Sequence, residues 1–501
     1  MRFTPGVEQL ETRAVPASLS LSAGVMTING TSNSDYIVVR QLNGRVSVDG
    51  NATSYAATAV NALVVNSGAG NDTVNLQNLT TAWTKQITVR SASGTDSVRL
   101  TNGTLRTLSG ANASLTIPAV VPTPRSGASS GGSSTTTDWF DANVHDAALK
   151  ALLKTDYNTD HVLDRNDMLA VFQEVEHDGT VNTNEFTDLK AVANNTSLFG
   201  SSTYIVDLTR DVVLGNAANA HYQGTTLGNL TAGSTGAKLN NLVHKWFLGA
   251  DHPNASYPGI TVTYTTAAGT LFGAGGPKYT DVHQGAVGDC YFVATLGETA
   301  LRTPTTIQSM FTVNGDGTYG VRFYQNGVSH YVTVDSQLPT YSGGWFLYAN
   351  MGSYAGNASN VLWVALAEKA YAQLNESGWI RPAAWGGGQN SYNGIEGGMF
   401  TDVTAQIANR AGSNYNVSST IDTSLNNAVT SGKLVGFAST SNPTNSQIVG
   451  DHQYVVIGYN SSTKTVTLFN PWGINNGSQY PGLVSLTLSQ LAGNFDYWSV
   501  A

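Results

Sequence analysis

Hydrophobic and polar positions change rhythm along the chain, and the changes divide it. From residue 18 to residue 117, alternating runs such as Tyr36-Ile37-Val38-Val39 and Leu63-Val64-Val65 are broken by Gly, Asn and Ser; a period of two predicts strands. Residues 118–138, PAVVPTPRSGASSGGSSTTTD, are Pro-rich and then Gly/Ser-rich, with nothing to bury, and read as a flexible linker. Helical spacing follows in Val144, Ala148 and Leu152, and again around Leu239 to Phe247, although residues 196–275 otherwise carry little pattern. Further helices are expected where Phe292, Val293, Leu296 and Ala300 share a face and where Trp363, Leu366, Ala370 and Leu374 form a core stripe. Near the end, HQYVVIGYN and TVTLFN flank the turn SSTK. They predict an antiparallel hairpin that opens one strand at His452 and closes the other at Asn470.

Inside the strand-rich region SNSDYIVV, SGAGNDTVNL and SASGTDSVRL each place a turn cluster before an Asp and then an apolar strand. The repeat resembles a degenerate form of the hemolysin-type calcium repeat, which stacks into a parallel β-roll. The resemblance implies Asp35, Asp72 and Asp96 as calcium ligands. Polar turns of a β-solenoid or sandwich without metal are the alternative, since most of the glycine pairs are missing.

Two acidic segments carry the spacing of a 12-residue EF-hand loop, whose positions 1, 3, 5, 7, 9 and 12 give a calcium ion its oxygens. In DYNTDHVLDRND these are Asp156, Asn158, Asp160, the carbonyl of Val162, Asp164 and Asp167, with His161 in place of the turn glycine. In EVEHDGTVNTNE they are Glu174, Glu176, Asp178, Thr180, Asn182 and Glu185, with Gly179 at the turn. Such a pair predicts an EF-hand-like calcium (Ca2+) module over 139–195.

Composition narrows the function. Among 501 residues 11% are charged, and 24 basic against 33 acidic residues leave a formal charge of -9, no footprint for nucleic acid or an anionic membrane. No apolar run reaches the roughly 18 residues of a membrane span, and the first 25 residues lack a secretory h-region. Residues 1–17 read instead as a targeting-like segment, because LETRAVPA resembles an N-terminal signature of bacterial surface and secreted proteins. That suggests an extracellular or cell-surface location. A single cysteine, Cys290, excludes an internal disulfide framework.

That thiol falls at the start of a predicted helix, after the Gly-containing turn QGAVGD, where the helix dipole favours a thiolate. Gln284, six residues earlier, can supply an amide to an oxyanion hole together with the Cys290 N–H. The hairpin sets His452 beside Asn470, so that Asn470 accepts the imidazole N–H and Trp472 shields that bond. His161, His177 and His283 lack zinc spacing with cysteine and read as solvated or structural.

Taken together, QGAVGDCYF, YVTVDSQLP, VLWVALAEKAYAQL with GIEGG, HQYVVIGY and FNPWG resemble, in order, the motifs of the calpain family of papain-like cysteine proteases. The resemblance implies Cys290 as nucleophile, His452 as general base and acid, Asn470 as the orienting residue and Gln284 as oxyanion donor. Tyr291 departs from the family's usual Trp, and Phe469 from its common Arg. The expected fold class is multi-domain: an N-terminal all-β repeat module (18–117), the linker, a small α-helical EF-hand-like module (139–195), a connecting region (196–275) and a C-terminal α+β papain-like cysteine protease (276–501). The expected activity is calpain-like endopeptidase action on protein or peptide substrates. The alternatives are a calcium-stabilised cell-surface adhesin with an inert protease-like domain, and acyl transfer to an amine by the same groups.

Overall fold

The computed structural model describes residues 18–32, 35–42, 45–48, 53–70, 72–77, 85–99, 105–110, 112–117, 138–418, 420–475 and 477–501. The targeting-like segment 1–17 and all of the linker but Asp138 lie outside the described residues. The chain forms two units, 1–136 and 137–501.

Among the described residues of the first unit the period of two becomes eleven strands: β1 (Ser18–Ser22), β2 (Val25–Asn29), β3 (Tyr36–Leu42), β4 (Arg45–Val48), β5 (Ser54–Ala56), β6 (Ala62–Ala69), β7 (Thr73–Gln77), β8 (Gln86–Ser93), β9 (Thr95–Arg99), β10 (Leu105–Ser109) and β11 (Ser114–Ile117). Strands β2, β6 and β8 run parallel in one sheet and β3, β7 and β9 run parallel in the other, as successive coils of a solenoid would place them. Antiparallel strands close the edges, β1 on β2 and β11 on β8 in the first sheet, β10 on β9 and the pair β4 and β5 on β3 in the second. Met26, Ile28, Leu63, Val65 and Val89 from one sheet and Ile37, Val39, Val74 and Val98 from the other share one buried core.

The in-register stacking also sets Asp35, Asp72 and Asp96 in a buried column, and their carboxylates are used by backbone. Asp72 Oδ1 accepts the Asp35 N–H at 2.8 Å, Asp96 Oδ1 accepts the Asp72 N–H at 3.1 Å, and Asp96 Oδ2 accepts the Ser67 hydroxyl at 2.6 Å. Asp72 and Asp96 therefore each tether the preceding coil, while Asp35 accepts from Thr31 in its own turn, which satisfies buried amides by protein groups.

The second unit opens with helices α1 (Trp139–Asn143), α2 (Ala147–Asp160), α3 (Arg165–His177), α4 (Thr183–Asn194), α5 (Thr203–Val213) and α6 (Gly236–Trp246). Leu149, Leu153, Val171, Phe172, Leu189 and Val192 share a core with Leu208, Val212, Leu239, Leu242 and Phe247. The helical layer thus runs on to Phe247, and Ala255, Val262, Tyr264 and Ala267 after it pack on the core of the part that follows.

Neither acidic segment forms the expected loop. Helix α2 continues through Asp160, so Asp156, Asn158 and Asp160 occupy helical positions, and His161 ends the helix in the left-handed region at φ 64°. Asp164 caps α3 while Asp167 accepts the Asp164 N–H, and Val162 donates its N–H to Asp160. In the second segment Glu174 and Glu176 lie on α3, and Asp178 follows it. Thr180 bridges Thr235, while Asn182 and Glu185 form the capping box of α4. The two segments also pair elsewhere instead of with each other: Leu163 N–H donates to Leu198 O and Val181 N–H to Ser234 O. The physical reason is that an N-cap oxygen with an acid at N3 satisfies a helix start locally, and these acids serve there. Among the described residues no group of three or more His, Cys, Asp or Glu is arranged to hold a metal.

The remainder of this unit is α+β. Its helical half contains α7 (Cys290–Arg302) and the helix Trp363–Leu374, the latter buried at every position. Its other half is an antiparallel sheet ordered 413–416, 495–500, 435–439, 453–460, 465–469 and 483–487. The two halves have separate cores, and Val455 and Phe469 of the sheet reach into the helical one. Arg165 pairs with Asp316 at 2.8 Å and Tyr204 bonds Thr333 at 2.9 Å, which fixes the preceding helical layer to this part. No helix of the described residues is long and apolar enough to cross a membrane.

Candidate active site

Cys290 is the first residue of α7, so its amide is one of those a helix start leaves without an internal partner. The turn before it needs glycine at Gly285, where a Cβ would lie 2.2 Å from the Tyr348 carbonyl oxygen. Cys290 is half-buried as a residue, with its thiol turned inward enough for burial to act on it. Burial pushes it up to about 11, while the backbone N–H of Gln453, directed at the sulfur, favours the thiolate.

That N–H belongs to the residue after His452, which immediately precedes the strand Gln453–Asn460. Asn470 immediately follows the paired strand Thr465–Phe469, and the register Val455↔Phe469 brings the two side chains together. His452 Nε2 lies 2.9 Å from Asn470 Oδ1, and the same oxygen accepts the Trp472 N–H at 3.0 Å. Only an oxygen can accept from a backbone amide, so the Asn470 amide orientation follows, and His452 must carry its proton on Nε2. That tautomer leaves Nδ1 as the base. Burial pulls the imidazole down to about 4, against the raising effect of the Asn470 bond. Trp472 lies 5.3 Å from the ring, centroid to centroid, and Tyr454 lies edge-on at 5.2 Å.

Gln284 is buried, and its backbone N–H donates to Pro471 O at 2.9 Å, which ties the glutamine segment to the asparagine turn. Its Nε2 donates to Val287 O at 2.8 Å, and its Oε1 is buried without a partner. Gln284, Cys290, His452, Asn470 and Trp472 therefore come from three chain segments that converge. The twelve calcium-loop residues lie apart from them, in the helical layer.

Two acidic groups at this site went unread in the sequence. Asp289 and Glu368 are both buried, and Glu368 Oε2 accepts the Ala349 N–H at 3.0 Å. Burial pushes Asp289 up to about 7, and burial together with the Asp289 charge raises Glu368. The signal was present: a Glu within the mostly apolar helix VLWVALAEKAYAQL meets a partner if it is buried, since a lone buried carboxylate is costly. A cavity of about 470 Å³ opens alongside, lined by Arg381, Trp385, Glu396, Gly397, Gly398 and Met399 among others. It joins the nucleophile loop where Gly397 N–H donates to Gly288 O at 2.9 Å.

A thiol at a helix start, met by the backbone N–H of the residue after a histidine whose ring an amide holds by Nε2, matches the layout of a papain-like cysteine protease. Comparison with known proteins agrees: residues 264–485 match the family model described as "Calpain family cysteine protease" and form a calpain-family cysteine protease domain. The chain is 30% identical over 223 residues to Calpain-8 of Homo sapiens, over 224 residues to the Calpain-2 catalytic subunit of Gallus gallus, and over 218 residues to the calpain-type cysteine protease ADL1 of Oryza sativa subsp. japonica. Each match takes in 40% of this chain; it spans 29% of the length of the two animal relatives and 9% of the rice one.

Proposed function

We propose that this protein is a calcium-associated, calpain-like cysteine endopeptidase that hydrolyses peptide bonds through an acyl-enzyme on Cys290. The observation that carries the reading is the His452 to Asn470 contact of 2.9 Å beside the buried nucleophile helix. Burial opposes the thiolate alone and the imidazolium alone. Proton transfer between them creates both charges together, and each then stabilises the other. The Cys290 proton passes to His452 Nδ1 as sulfur attacks the scissile carbonyl, and the Cys290 N–H and Gln284 amide stabilise the oxyanion. The C–N bond then breaks, and the leaving amine takes the proton from Nδ1. Water, losing a proton to the same nitrogen, attacks the thioester to release the acid and return the thiol. Trp472 keeps solvent from the bond between Asn470 and His452.

Calcium enters as a stabilising ion, with no step in the hydrolysis. The first donor set, Asp156, Asn158, Asp160, the Val162 carbonyl, Asp164 and Asp167, supports it best. Burial first, and the neighbouring carboxylates with it, push Asp156 up to about 6 and Asp167 up to about 7. A divalent cation relieves that repulsion. The last turn of α2 must open for the ion, because Asn158 and Asp160 are helical without it. The second set fits less well, since Thr180, Asn182 and Glu185 are engaged in a β-bridge and a capping box. The composition and the LETRAVPA signature support an extracellular or cell-surface location.

The second reading, a calcium-stabilised adhesin with an inert protease-like domain, draws support from the burial that holds thiol and imidazole neutral at rest. Labelling the full chain with a thiol-directed epoxide inhibitor, followed by peptide mass spectrometry and casein turnover, separates the two. An adduct on Cys290 that abolishes turnover supports the protease; no turnover and no adduct overturns it.

A further inference from the structure

The hydroxyl of Tyr291, the residue directly after the nucleophile, is engaged as donor and as acceptor. It donates to Ile395 O at 3.0 Å and accepts from Arg381 Nη1 at 3.3 Å. Arg381 Nη2 in turn donates to Glu396 O at 2.7 Å and to Gly397 O. Three successive carbonyls, from residues 395, 396 and 397, are thus gathered by one tyrosine and one guanidinium. Both side chains are buried, and the cation meets neutral oxygens, with its Nε left without a partner. The Tyr291 ring lies flat enough on the next residue that a Cβ at Gly398 would come within 2.4 Å of it. Burying a guanidinium against neutral groups is costly, so the turn is held at the expense of stability elsewhere.

We propose that Tyr291 and Arg381 are a positioning pair, which locks the turn 395–398 against the nucleophile loop and so fixes one wall of the cavity that adjoins this loop, as a site for substrate. The proposal rests on the protease reading and names the residues that set its binding cleft. A tryptophan cannot do the same work. Its indole N–H is a donor only, so it could not accept from Arg381 while bonding Ile395. The Tyr hydroxyl does both, and it links the guanidinium to the helix that carries the thiol. The bond from Gly397 N–H to Gly288 O completes the tie on the other side of the turn.

The test is Tyr291→Phe in the full chain, which keeps the ring on Gly398 and removes only the hydroxyl, with Tyr291→Trp as a second variant. Three quantities are measured: amide hydrogen exchange in peptides covering 395–399, KM and kcat on a fluorogenic peptide, and the rate of Cys290 alkylation by iodoacetamide. In both variants exchange should quicken and KM rise by about three- to tenfold, the range for one lost hydrogen bond, with kcat and alkylation nearly unchanged. Wild-type exchange rates in Tyr291→Phe overturn the proposal. So does a fall in kcat and alkylation at constant KM, which would place the hydroxyl's effect on the nucleophile. If the parent chain cleaves no peptide, the protease reading fails by itself, and the exchange measurement still decides whether the pair holds the turn.

Discussion

His452 and Asn470 are joined by one bond of 2.9 Å, and the acceptor oxygen is pinned a second time by the Trp472 N–H at 3.0 Å. On the protease reading, Asn470 selects the tautomer and aims the ring, while His452 moves the proton. The two should separate kinetically. His452→Ala should leave only residual turnover, whereas Asn470→Ala should lose less, about 10- to 100-fold in kcat, because a misaimed base still functions part of the time. Cys290→Ala should abolish proteolysis in a folded chain. Near-wild-type casein turnover by that variant would remove the nucleophile assignment.

Gln284→Ala should lower kcat by about 10²- to 10³-fold with little change in KM, as expected for an oxyanion donor. Its Nε2 already donates one hydrogen to Val287 O, which aims the second hydrogen by fixing the amide plane. An unchanged kcat with a raised KM would make Gln284 a substrate-binding residue.

Much of this site was legible because its chemistry fixes residue types over short spans: a Gly turn before Cys290, and a hairpin whose register sets His452 by Asn470. The buried partners were not legible, since Asp289 meets Glu368, and Tyr291 meets Arg381, across some 80 to 90 residues that no local period encodes. Helix α5 was missed because Asn/Gly-rich flanks hide a short apolar stripe, Ile205, Leu208 and Val212. The acidic segments admit two arrangements for a physical reason. Asp164 with Asp167, and Asn182 with Glu185, satisfy the EF-hand spacing and the capping-box spacing equally, and without an ion the capping box is what forms.

Lys245 is buried between Asp251 and Glu376, the second contact being 2.7 Å, and so links α6 to the protease part. Removing the cation strands two buried carboxylates. Lys245→Met should destabilise the unit by about 3–5 kcal/mol, read from chemical denaturation in a Cys290→Ala background that prevents self-cleavage. A change under about 1 kcal/mol would mean that the carboxylates take up protons or water at little cost.

Glu298 is buried in α7 beside Arg302, and burial pushes its carboxyl up to about 7 despite that neighbour. A carboxyl whose folded value exceeds the unfolded value of about 4.3 binds more protons folded than unfolded between the two. Its contribution therefore weakens as pH rises through that window. Glu298→Gln removes the titration. The stability difference between Glu298→Gln and its parent should shift in favour of glutamine by about 3 kcal/mol from pH 4 to pH 8. A pH-independent difference would show that Glu298 is ionised throughout, held by Arg302.

The calcium reading makes a prediction that proton competition sharpens. Asp156 and Asp167, raised to about 6 and about 7, must lose their protons before they can ligate, so affinity should fall as pH drops from 7.5 to 5.5. His161 in place of the turn glycine and the short Asp167 in place of a bidentate Glu place affinity near about 10⁻⁴ to 10⁻³ M. Calcium at about 100 times Kd would then add near 2.7 kcal/mol of stability. Isothermal titration and thermal unfolding of the full chain carrying Cys290→Ala should show heat and a raised Tm with millimolar calcium at pH 7.5. Magnesium should give neither. Asp156→Asn with Asp167→Asn should abolish both effects and leave the fold intact, because Asn at 167 still offers an oxygen to the Asp164 N–H. An absence of heat and of any Tm shift in the parent would refute calcium binding at this segment and leave the protease assignment standing. A calcium response that survives the double substitution would move the ion to other donors.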